Sequence, residues 1–439
     1  MAARAPGGSA SEFRTAVHRL IRAPRGLRYA YVAVFAASLA IRIVLAAAVK
    51  PVLLSDARDY HELARSLMEG RGYVQVYEGE TQAFNGFTFR AFRSPGYPVI
   101  LAGLYKVFGR HPGVYLGLNI VADEVTQVCA LLIAAYLFGA GPALLVQILL
   151  AIHVLWTLNP MTEAVHAAMI ALLALLLVVR APLKSWAGAL GFGVLAAAAL
   201  FIRPITLCVF PVLVWRYLWC NPSWRRLPLI GLAVLPSVLG VTAWAVRNHR
   251  LLGQYVLFTT NFGHHNALAY GIPPDEAFAH FRQQGLNEAE IDRELTRLEW
   301  NLVKANPSGW AWLWCKRVRG LFSLAPPWEV GVALWDVMFP KTPRVSWIGR
   351  CYRASYYQYY LTYLLFACGA IILIIRRQGL EGLWTFMLGY VAFHAALSRG
   401  DVRLLAPLYP LLCMLAAGLW ASAVAILQRR QPSHKGRAR

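Results

Sequence analysis

The sequence predicts an all-α integral membrane protein, built as a bundle of about ten transmembrane helices with two large extracytoplasmic loops. Hydrophobic residues make up 58% of the 439 residues and charged residues only 15%, whereas a soluble domain has roughly 25% charged residues. The mean hydropathy is +0.48. The apolar residues also form runs near the length of about 20 residues that a helix needs to cross a bilayer. These observations exclude a soluble enzyme, a disordered protein and a coiled coil.

The chain begins with a basic cytoplasmic tail over residues 1–29, and no small-residue cleavage site follows the first apolar run, which favours a signal-anchor. A single membrane domain is predicted over 30–430, followed by a short cytoplasmic tail over 431–439. A break at Arg203-Pro204 leaves open whether the runs 186–202 and 205–219 form two spans or a kinked hairpin. The predicted spans are 30–49, 114–138, 140–158, 163–180, 186–202, 205–219, 227–246, 356–375, 381–397 and 404–427.

The basic residues predict the orientation. The net charge is +22, from 43 Lys and Arg against 21 Asp and Glu. If the ten spans alternate, the basic clusters fall on one side, which the positive-inside rule assigns to the cytoplasm. We therefore expect a multi-pass protein of the bacterial inner membrane with both termini cytoplasmic, in contact with membrane lipids. The charge is explained by this topology, so no nucleic-acid partner is expected.

This orientation places two large loops outside, over residues 50–113 and 247–355. The first is predicted to contain a helix over 57–69 and an apolar stretch over 96–108. That stretch is too short to cross the bilayer and is predicted to lie in the interface. The second loop is the most polar part of the chain, and its acidic stretch over 275–299 predicts a pair of surface helices.

Carboxylates mark the first loop and the start of the fourth span. Asp56 and Tyr60 are four residues apart, so they share one face of a helix. A carboxylate at this boundary could transfer a proton if burial raises its pKa, or stay charged beside a cation. Asp56 and Asp59 could equally be acids that cap the next helix. Glu163 begins the fourth span, where the helix dipole alone favours an acid.

Four of the arginines on the predicted outer side lie beside helix ends, where the positive-inside bias should deplete them. Arg93 precedes the interface helix, Arg203 ends span five, Arg247 follows span seven, and Arg403 precedes the last span. A guanidinium group at such a position can hold a lipid phosphate. The alternative is that each is an anchor whose side chain snorkels to the interface.

Other charged groups predict structure rather than chemistry. Arg42 in the first span and Asp123 and Glu124 in the second predict an ion pair between these helices. The adjacent His264 and His265 have a poor spacing for metal ligands, and the chain has no CxxC pair. These residues therefore predict no metal site.

Short blocks with these residues follow one another along the chain. They are Asp56-x-x-x-Tyr60, Gly70-Arg71-Gly72-Tyr73, Arg93-Ser94-Pro95-Gly96-Tyr97-Pro98, Glu163, Arg203-Pro204, Trp244-x-x-Arg247-Asn248, Asn306-Pro307 and Arg403-x-x-x-Pro407. In this order and on this side of the membrane they resemble the GT-C fold glycosyltransferases. The resemblance is to the bacterial branch related to protein O-mannosyltransferases and to the lipid A aminoarabinose transferase. It covers most of the chain.

The resemblance implies a GT-C-like bundle and a donor sugar attached to a polyprenyl phosphate. The reaction that it implies is a single displacement on the extracytoplasmic side that inverts the anomeric carbon. Asp56 matches the catalytic acid of the first loop, which would act as general base on the acceptor hydroxyl. Glu163 matches a second acidic position, which would orient the acceptor or the base.

The resemblance also implies a set of substrate-binding residues. Arg93, Arg203, Arg247 and Arg403 are the candidates for the lipid phosphate. The full set is Arg58, Tyr60, His61, Arg93, Tyr97, Arg203, Arg247, Asn248 and Arg403. No cofactor is expected. Some relatives use a divalent metal, but the neighbouring acids of the first loop are only Asp56 and Asp59, so metal-independent chemistry is favoured.

The acceptor is left open among a lipid, a glycan and a protein, and the sugar is open as well. The main alternative function is a transporter or flippase of a lipid-linked saccharide. Transporters often show two related halves with broken helices at corresponding positions, and the sequence shows no such repeat. A non-catalytic scaffold is disfavoured by the clustered arginines and acids on the outer side.

Overall fold

A computed structural model shows an almost wholly helical chain. The structure describes residues 17–49, 51–53, 55–78, 83–154, 157–158, 161–178, 185–214, 224–269, 272–321, 347–375, 387–392 and 407–430. The helices are α1 (Arg25–Ala48), α2 (Ser55–Met68), α3 (Gly96–Phe108), α4 (Pro112–Phe138), α5 (Ala140–Ile152), α6 (Glu163–Val178), α7 (Trp186–Ile202), α8 (Val209–Val214), α9 (Leu227–Leu252), α10 (Phe262–Ala269), α11 (Pro274–Gln283), α12 (Glu288–Ala305), α13 (Pro307–Leu321), α14 (Trp347–Ile375) and α15 (Tyr409–Arg430).

Among the described residues, three helices are long and apolar enough to cross a membrane by length and composition, namely α1, α4 and α9. The predicted all-α membrane architecture is thereby confirmed, with α5, α6 and α7 as shorter apolar helices. The predicted span over 140–158 ends early, because α5 stops at Ile152. The predicted span over 381–397 lies mostly outside the described residues, so the count of ten stays a prediction.

The break predicted at Arg203-Pro204 separates α7 from the next element. Ser185 caps the start of α7 with its side-chain oxygen, which accepts a hydrogen bond from the Gly188 backbone N–H at 3.0 Å. Arg203 has an extended backbone, and a short 3-10 helix (Pro204–Cys208) then leads into α8. Proline cannot donate the hydrogen bond that would continue α7, so the helix ends at this point.

The apolar core is formed by the spanning and apolar helices. Helix α4 packs against α5 and α6, α7 packs against α9, and α14 packs against α15. Its buried residues include Ile133, Phe192 and Leu412. A second buried cluster joins α3 to α4 and includes Tyr97, Leu101 and Tyr115, so the interface helix is fixed to the membrane bundle through its apolar face.

The predicted ion pair between the first two spans is confirmed. Arg42 Nε lies 3.2 Å from Asp123 Oδ2, and Arg42 Nη1 lies 3.8 Å from Glu124 Oε1. The same guanidinium group donates hydrogen bonds to three backbone carbonyls where α5 ends. They belong to Leu150 (2.8 Å), Ala151 (3.3 Å) and His153 (2.9 Å).

The first loop contains α2, a two-stranded antiparallel sheet and α3. Strand β1 (Gln75–Val76) pairs with β2 (Thr88–Phe89). Helix α3 has the bounds predicted from the sequence, and α2 begins slightly before the predicted helix. These elements bring the segment before α3 next to the first turn of α2.

The second loop contains helices α10 to α13. The predicted helix pair over 275–299 is present as α11 and α12. Helix α12 begins with a capping box between Asn287 and Glu290. The expectation of a surface location is wrong for two of its acids, because Glu288 is 2% exposed and Glu299 is 5% exposed. Both lie on a helix that packs against α10 and α13, and Glu288 also binds the backbone of the first loop.

Candidate active site

Arg93 is the centre of the first charged cluster. Its Nη2 atom lies 2.7 Å from Asp56 Oδ1 and 2.7 Å from Asp59 Oδ2. Its Nε atom also donates to Asp59 Oδ2 at 2.9 Å. Gln75 on β1 donates to the other oxygen of Asp59 at 2.8 Å. A single guanidinium group therefore bridges two carboxylates from the first turns of α2.

The two acids differ in their surroundings. The side chain of Asp59 is 5% exposed and that of Asp56 is 15% exposed. Burial raises the pKa of Asp59, while the charge of Arg93 and the hydrogen bond from Gln75 oppose that shift. Burial lowers the pKa of Arg93, but the charges of Asp56 and Asp59 outweigh it and raise the pKa overall, so Arg93 stays cationic. Asp59 anchors Arg93, and Asp56 is the more accessible carboxylate.

Glu163 and Arg203 form the second charged cluster. Glu163 is the first residue of α6 and is 1% exposed. Arg203, directly after α7, donates from Nη2 to Glu163 Oε1 at 2.6 Å and from Nε to Thr162 Oγ1 at 2.7 Å. The loop before α6 and the end of α7 therefore meet through a nearly dry ion pair.

Gly96 brings the first loop against the end of α7. A Cβ atom at Gly96 would lie 2.7 Å from the backbone carbon of Phe201 and 2.8 Å from the backbone nitrogen of Ile202. Backbone atoms cannot move aside as a flexible side chain can, so only glycine permits this contact. The contact places the start of α3 beside Arg203.

Tyr60 lies beside Arg93 of the first charged cluster and beside Tyr97 at the start of α3. The Tyr60 ring packs edge-on against the Tyr97 ring, with 5.5 Å between the two centroids. The guanidinium carbon of Arg93 lies 5.8 Å from the centroid of the Tyr60 ring. Burial raises the pKa of Tyr60. The charges that act on it are those of Arg93, Asp56, Arg203 and Glu163. The structure thus unites residues that the sequence separates widely.

Arg247 approaches the same loop from the end of α9. Its guanidinium group donates to the backbone carbonyls of Arg90 at 2.7 Å and Tyr73 at 2.9 Å, and to Asn248 Oδ1 at 2.7 Å. It also lies 4.6 Å from the ring centroid of Trp244. In the part of the chain that the structure describes, no carboxylate lies within ion-pair distance of Arg247.

Asn248 and His61, which are predicted substrate-binding residues, lie in the protein interior, as Tyr97 does. Asn248 is fully buried, and its Nδ2 atom donates to the Val256 carbonyl at 2.9 Å. His61 is 1% exposed, is hydrogen-bonded to the Tyr105 hydroxyl and packs edge-on against Tyr115. Both sets of contacts hold neighbouring elements together. A substrate-binding role for either side chain stays a prediction.

The remaining predicted residues are Arg58 and Arg403. Arg58 lies on α2 between the two acids and is half-buried, with no ion pair to any residue that the structure describes. Arg403 lies outside the described residues, so its place in the site stays a prediction.

Three residues that shape the two clusters are not among the site residues predicted from the sequence. For Asp59 the sequence offers a helix cap as one alternative, and for Gln75 and Thr162 it predicts no role. Asp59 stands three residues after Asp56 on one helix, a spacing that places both acids within reach of one cation. The sequence contains no comparable signal for Gln75 or Thr162, because their partners come from distant parts of the chain.

The Asp56 and Asp59 carboxylates, as they are paired with Arg93, do not fit a divalent metal ion. A hard cation of this kind needs several oxygen ligands, and the acids of the Arg93 cluster are Asp56 and Asp59. Both already bind Arg93, whose guanidinium group occupies the position between them. The described residues contain no group of three or more His, Cys, Asp or Glu side chains arranged to hold a metal.

Comparisons with known proteins find similarity in three-dimensional structure only. No family model and no curated protein matches the chain. The oligosaccharyltransferase of Archaeoglobus fulgidus aligns over 91% of this chain and 50% of its own, with 10% identity and a TM-score of 0.49. The chain thus spans about half the length of that enzyme.

Two structures of ArnT from Cupriavidus metallidurans also align, each with 14% identity and 79% of the ArnT chain covered. The one bound to undecaprenyl phosphate aligns over 93% of this chain with a TM-score of 0.39, and the apo form over 91% with 0.37. All three structures are of glycosyltransferases, the class that the sequence blocks resemble. Every TM-score lies below 0.5, so the chemistry proposed next depends on the contacts described above.

Proposed function

We propose that this protein is a membrane glycosyltransferase that moves a sugar from a polyprenyl-phosphate donor to an acceptor on the extracytoplasmic side. The single observation that supports the proposal most strongly is the close contact of Gly96 with the end of α7, which places the Asp56–Arg93 ion pair near the Glu163–Arg203 ion pair. Ionisable groups in a membrane protein that are this deeply buried usually mark a functional site.

Asp56 is the proposed general base. Arg93 favours the ionised form of this carboxylate, and Asp56 is more exposed than Asp59, which is held by three hydrogen bonds. In the proposed step, the acceptor hydroxyl loses its proton to Asp56 as its oxygen attacks the anomeric carbon. The bond between that carbon and the phosphate oxygen breaks, the lipid phosphate leaves with the electron pair, and the anomeric configuration inverts.

Arg247 is the proposed principal ligand of the lipid phosphate. Arg93 and Arg203 are already paired with carboxylates, so their charges are largely neutralised. The hydrogen-bond partners of Arg247 are neutral oxygens, which leaves its charge available for an anion. A preorganised cation stabilises the negative charge that develops on a leaving phosphate. Arg58 and Arg403 are proposed as further phosphate ligands.

Glu163 is proposed to orient the acceptor or the base. Its ion pair with Arg203 fixes its side chain, and its burial excludes water from this part of the site.

The proposed setting is the bacterial inner membrane. The acceptor is a lipid, a glycan or a protein, and the transferred group is a hexose or a pentose.

The test is sugar transfer by purified protein in proteoliposomes, supplied with a panel of radiolabelled polyprenyl-phosphate sugars. We expect one donor to give a labelled product, and Asp56→Asn to lower the rate by at least about a hundredfold while donor binding persists. A fully active Asp56→Asn variant would show that Asp56 is not the base. Movement of the labelled lipid across the bilayer without any product would favour the flippase alternative instead.

Glu62→Gln is the matched control for this experiment. Glu62 lies on the same helix, α2, and its ion pairs are with Arg65 at 2.8 Å and Arg110 at 2.7 Å. These pairs are partly exposed and lie outside the Arg93 cluster. The control variant removes one carboxylate charge from α2, and we expect it to keep the wild-type transfer rate.

A further inference from the structure

Residues 90–93, which lead into the Arg93 cluster, are anchored by backbone hydrogen bonds from outside the first loop's own sheet. The Arg90 and Ala91 N–H groups donate to one carboxylate oxygen, Oε1 of Glu288, at 2.6 and 3.0 Å. The Ala91 carbonyl accepts from the Thr260 backbone N–H at 2.9 Å. The second loop therefore binds this segment on both edges.

Two further contacts complete the anchoring. The Arg90 carbonyl accepts from Arg247, and the Arg93 carbonyl accepts from the Tyr73 hydroxyl at 2.8 Å. Arg247 also binds the Tyr73 carbonyl. The backbone just before Arg93 is thus held at both ends, from α9 and from the first loop.

Glu288 is unusual among these anchors because it is a buried acid. It is 2% exposed, and its second oxygen, Oε2, accepts from the Thr260 hydroxyl at 2.8 Å. In the part of the chain that the structure describes, no cation lies within ion-pair distance of Glu288. A buried carboxylate is costly unless hydrogen bonds satisfy it. Two of the three groups that donate to Glu288, the Arg90 and Ala91 N–H groups, belong to the segment that carries Arg93.

We propose that Glu288 is a positioning residue, which holds residues 90–93 so that the Arg93 guanidinium group reaches Asp56. The link is short, since Arg93 follows Ala91 by two residues and its guanidinium group must meet both Asp56 and Asp59. A displacement of the segment would move Arg93 away from α2. This inference rests on the proposed function for its kinetic consequences, but its structural part is independent of any activity.

The structural part is tested by hydrogen–deuterium exchange of the full-length protein in lipid nanodiscs. In Glu288→Ala we expect the amides of Arg90 and Ala91 to exchange about tenfold faster, because both lose their acceptor. Glu288→Gln keeps an acceptor oxygen for both amides, so it should retain the wild-type protection. Unchanged protection in Glu288→Ala would overturn the proposal.

Glu290→Ala is the matched control. Glu290 lies in the same first turn of α12, and its carboxylate caps the Asn287 backbone N–H at 2.8 Å. Its removal weakens the same helix end without touching residues 90–93. We expect exchange at Arg90 and Ala91 to remain as in wild type. Faster exchange there in the control would mean that any damage to α12 releases the segment, which would also overturn a specific role for Glu288.

The kinetic part uses the donor found active in the transfer assay. In Glu288→Ala we expect kcat to fall by about a hundredfold, as a shift of about 1 Å in a catalytic group can do. The acid limb of the pH–rate profile should move to higher pH, because Asp56 loses part of the cation that favours its ionised form while Asp59 and Tyr60 stay beside it. Glu288→Gln should restore both the rate and the profile.

Each outcome decides a different point. A lower yield of folded Glu288→Ala with normal kcat and a normal profile would show a structural role only and overturn the positioning role. If Glu288→Ala does not fold, Thr260→Val removes the hydroxyl that orients Glu288, and it should produce the same changes in smaller size. If it produces none of them, the proposal fails. A wild-type protein that transfers no sugar would contradict the proposed function, while the exchange result would still stand.

Discussion

Gly96 and Phe201 meet backbone to backbone, and this contact joins the two ion pairs of the candidate site. A methyl group on Gly96 would lie 2.8 Å from the Phe201 carbonyl oxygen as well as 2.7 Å from its carbon. Arg93 lies three residues before Gly96, and Arg203 lies two residues after Phe201. The separation of the two clusters therefore depends on how closely α3 approaches α7.

Gly96→Ala should separate the clusters. The added methyl group meets backbone that cannot rotate away, so we expect α3 to shift and the protein to lose about 1–3 kcal/mol of stability. The rate of sugar transfer should also fall, because the shift of α3 moves the Arg93 cluster away from the Glu163–Arg203 pair. Thermal unfolding of the purified variant, measured beside the proteoliposome assay, checks both effects.

Gly103→Ala is the control for that substitution. Gly103 lies in the same helix, and a Cβ atom there would meet nothing within 4 Å. Alanine is favoured over glycine in a helix by about 1 kcal/mol. The control should therefore be as stable as wild type or more stable. Similar losses in both variants would contradict a special role for the Gly96 contact.

Asp59→Asn should damage stability more than Asp56→Asn does. Asp59 accepts three hydrogen bonds from Gln75 and Arg93 and is the more buried acid. Replacing its charge weakens these bonds, and we expect a loss of about 2 kcal/mol. Denaturant unfolding of the two variants in one detergent gives the comparison. Equal losses would mean that the two acids are structurally equivalent.

Arg203→Ala should be strongly destabilising. It would leave Glu163 buried without its guanidinium partner, which typically costs about 3–5 kcal/mol. The double variant with Glu163→Gln should recover part of this loss, because no charge is then left buried. A double-mutant cycle on unfolding free energies should give a coupling of about 0.5–3 kcal/mol. A coupling near zero would show that the ion pair does not stabilise this corner of the bundle.

The second loop should lose stability as the pH rises. Burial raises the pKa of Asp292 to about 7 and that of Glu299 to about 8, well above the ordinary values of about 4. At a pH between the ordinary pKa of about 4 and the raised pKa of about 7 or 8, the folded protein binds more protons than the unfolded chain does. Its stability therefore falls with increasing pH from about 4 to about 8 and levels off above that.

Thermal unfolding measured from about pH 5 to about pH 9 checks this dependence. Asp292→Asn and Glu299→Gln should each flatten it, since the replaced group no longer titrates. Glu276→Gln serves as the control, because Glu276 is an exposed acid on α11. Stability that rises with pH across this window would contradict the assignment.

Much of the fold could be predicted from the sequence because its signals are local. Hydrophobic runs predicted the apolar helices, and the short apolar run before span two predicted the interface helix α3 with its observed bounds. The opposite charges within neighbouring spans predicted the pair between Arg42 and Asp123. Each of these follows from composition within one or two helices.

The candidate site could be predicted only in part. The order of the acidic and basic blocks pointed to Asp56, Glu163 and the arginines, but not to their pairing. Pairing of Arg93 with Asp59, and of Glu288 with residues 90–91, depends on how distant loops pack. From the sequence, the acids of α12 are predicted to lie on a solvated helix face. Their own segment contains no signal of the distant residues that bury Glu288 and Glu299.

The carbonyls at the end of α5 point at Arg42, and this explains how an apolar helix of 13 residues can stop where it does. The last carbonyls of a helix have no partner within the helix, and in a buried place each one needs a hydrogen-bond donor from elsewhere. Here Arg42 from α1 donates hydrogen bonds to those carbonyls, and the carboxylates of Asp123 and Glu124 balance its positive charge. Losing Arg42 would therefore deprive three buried carbonyls and two carboxylates of one shared donor at the same time, which is a larger loss than that of a surface contact.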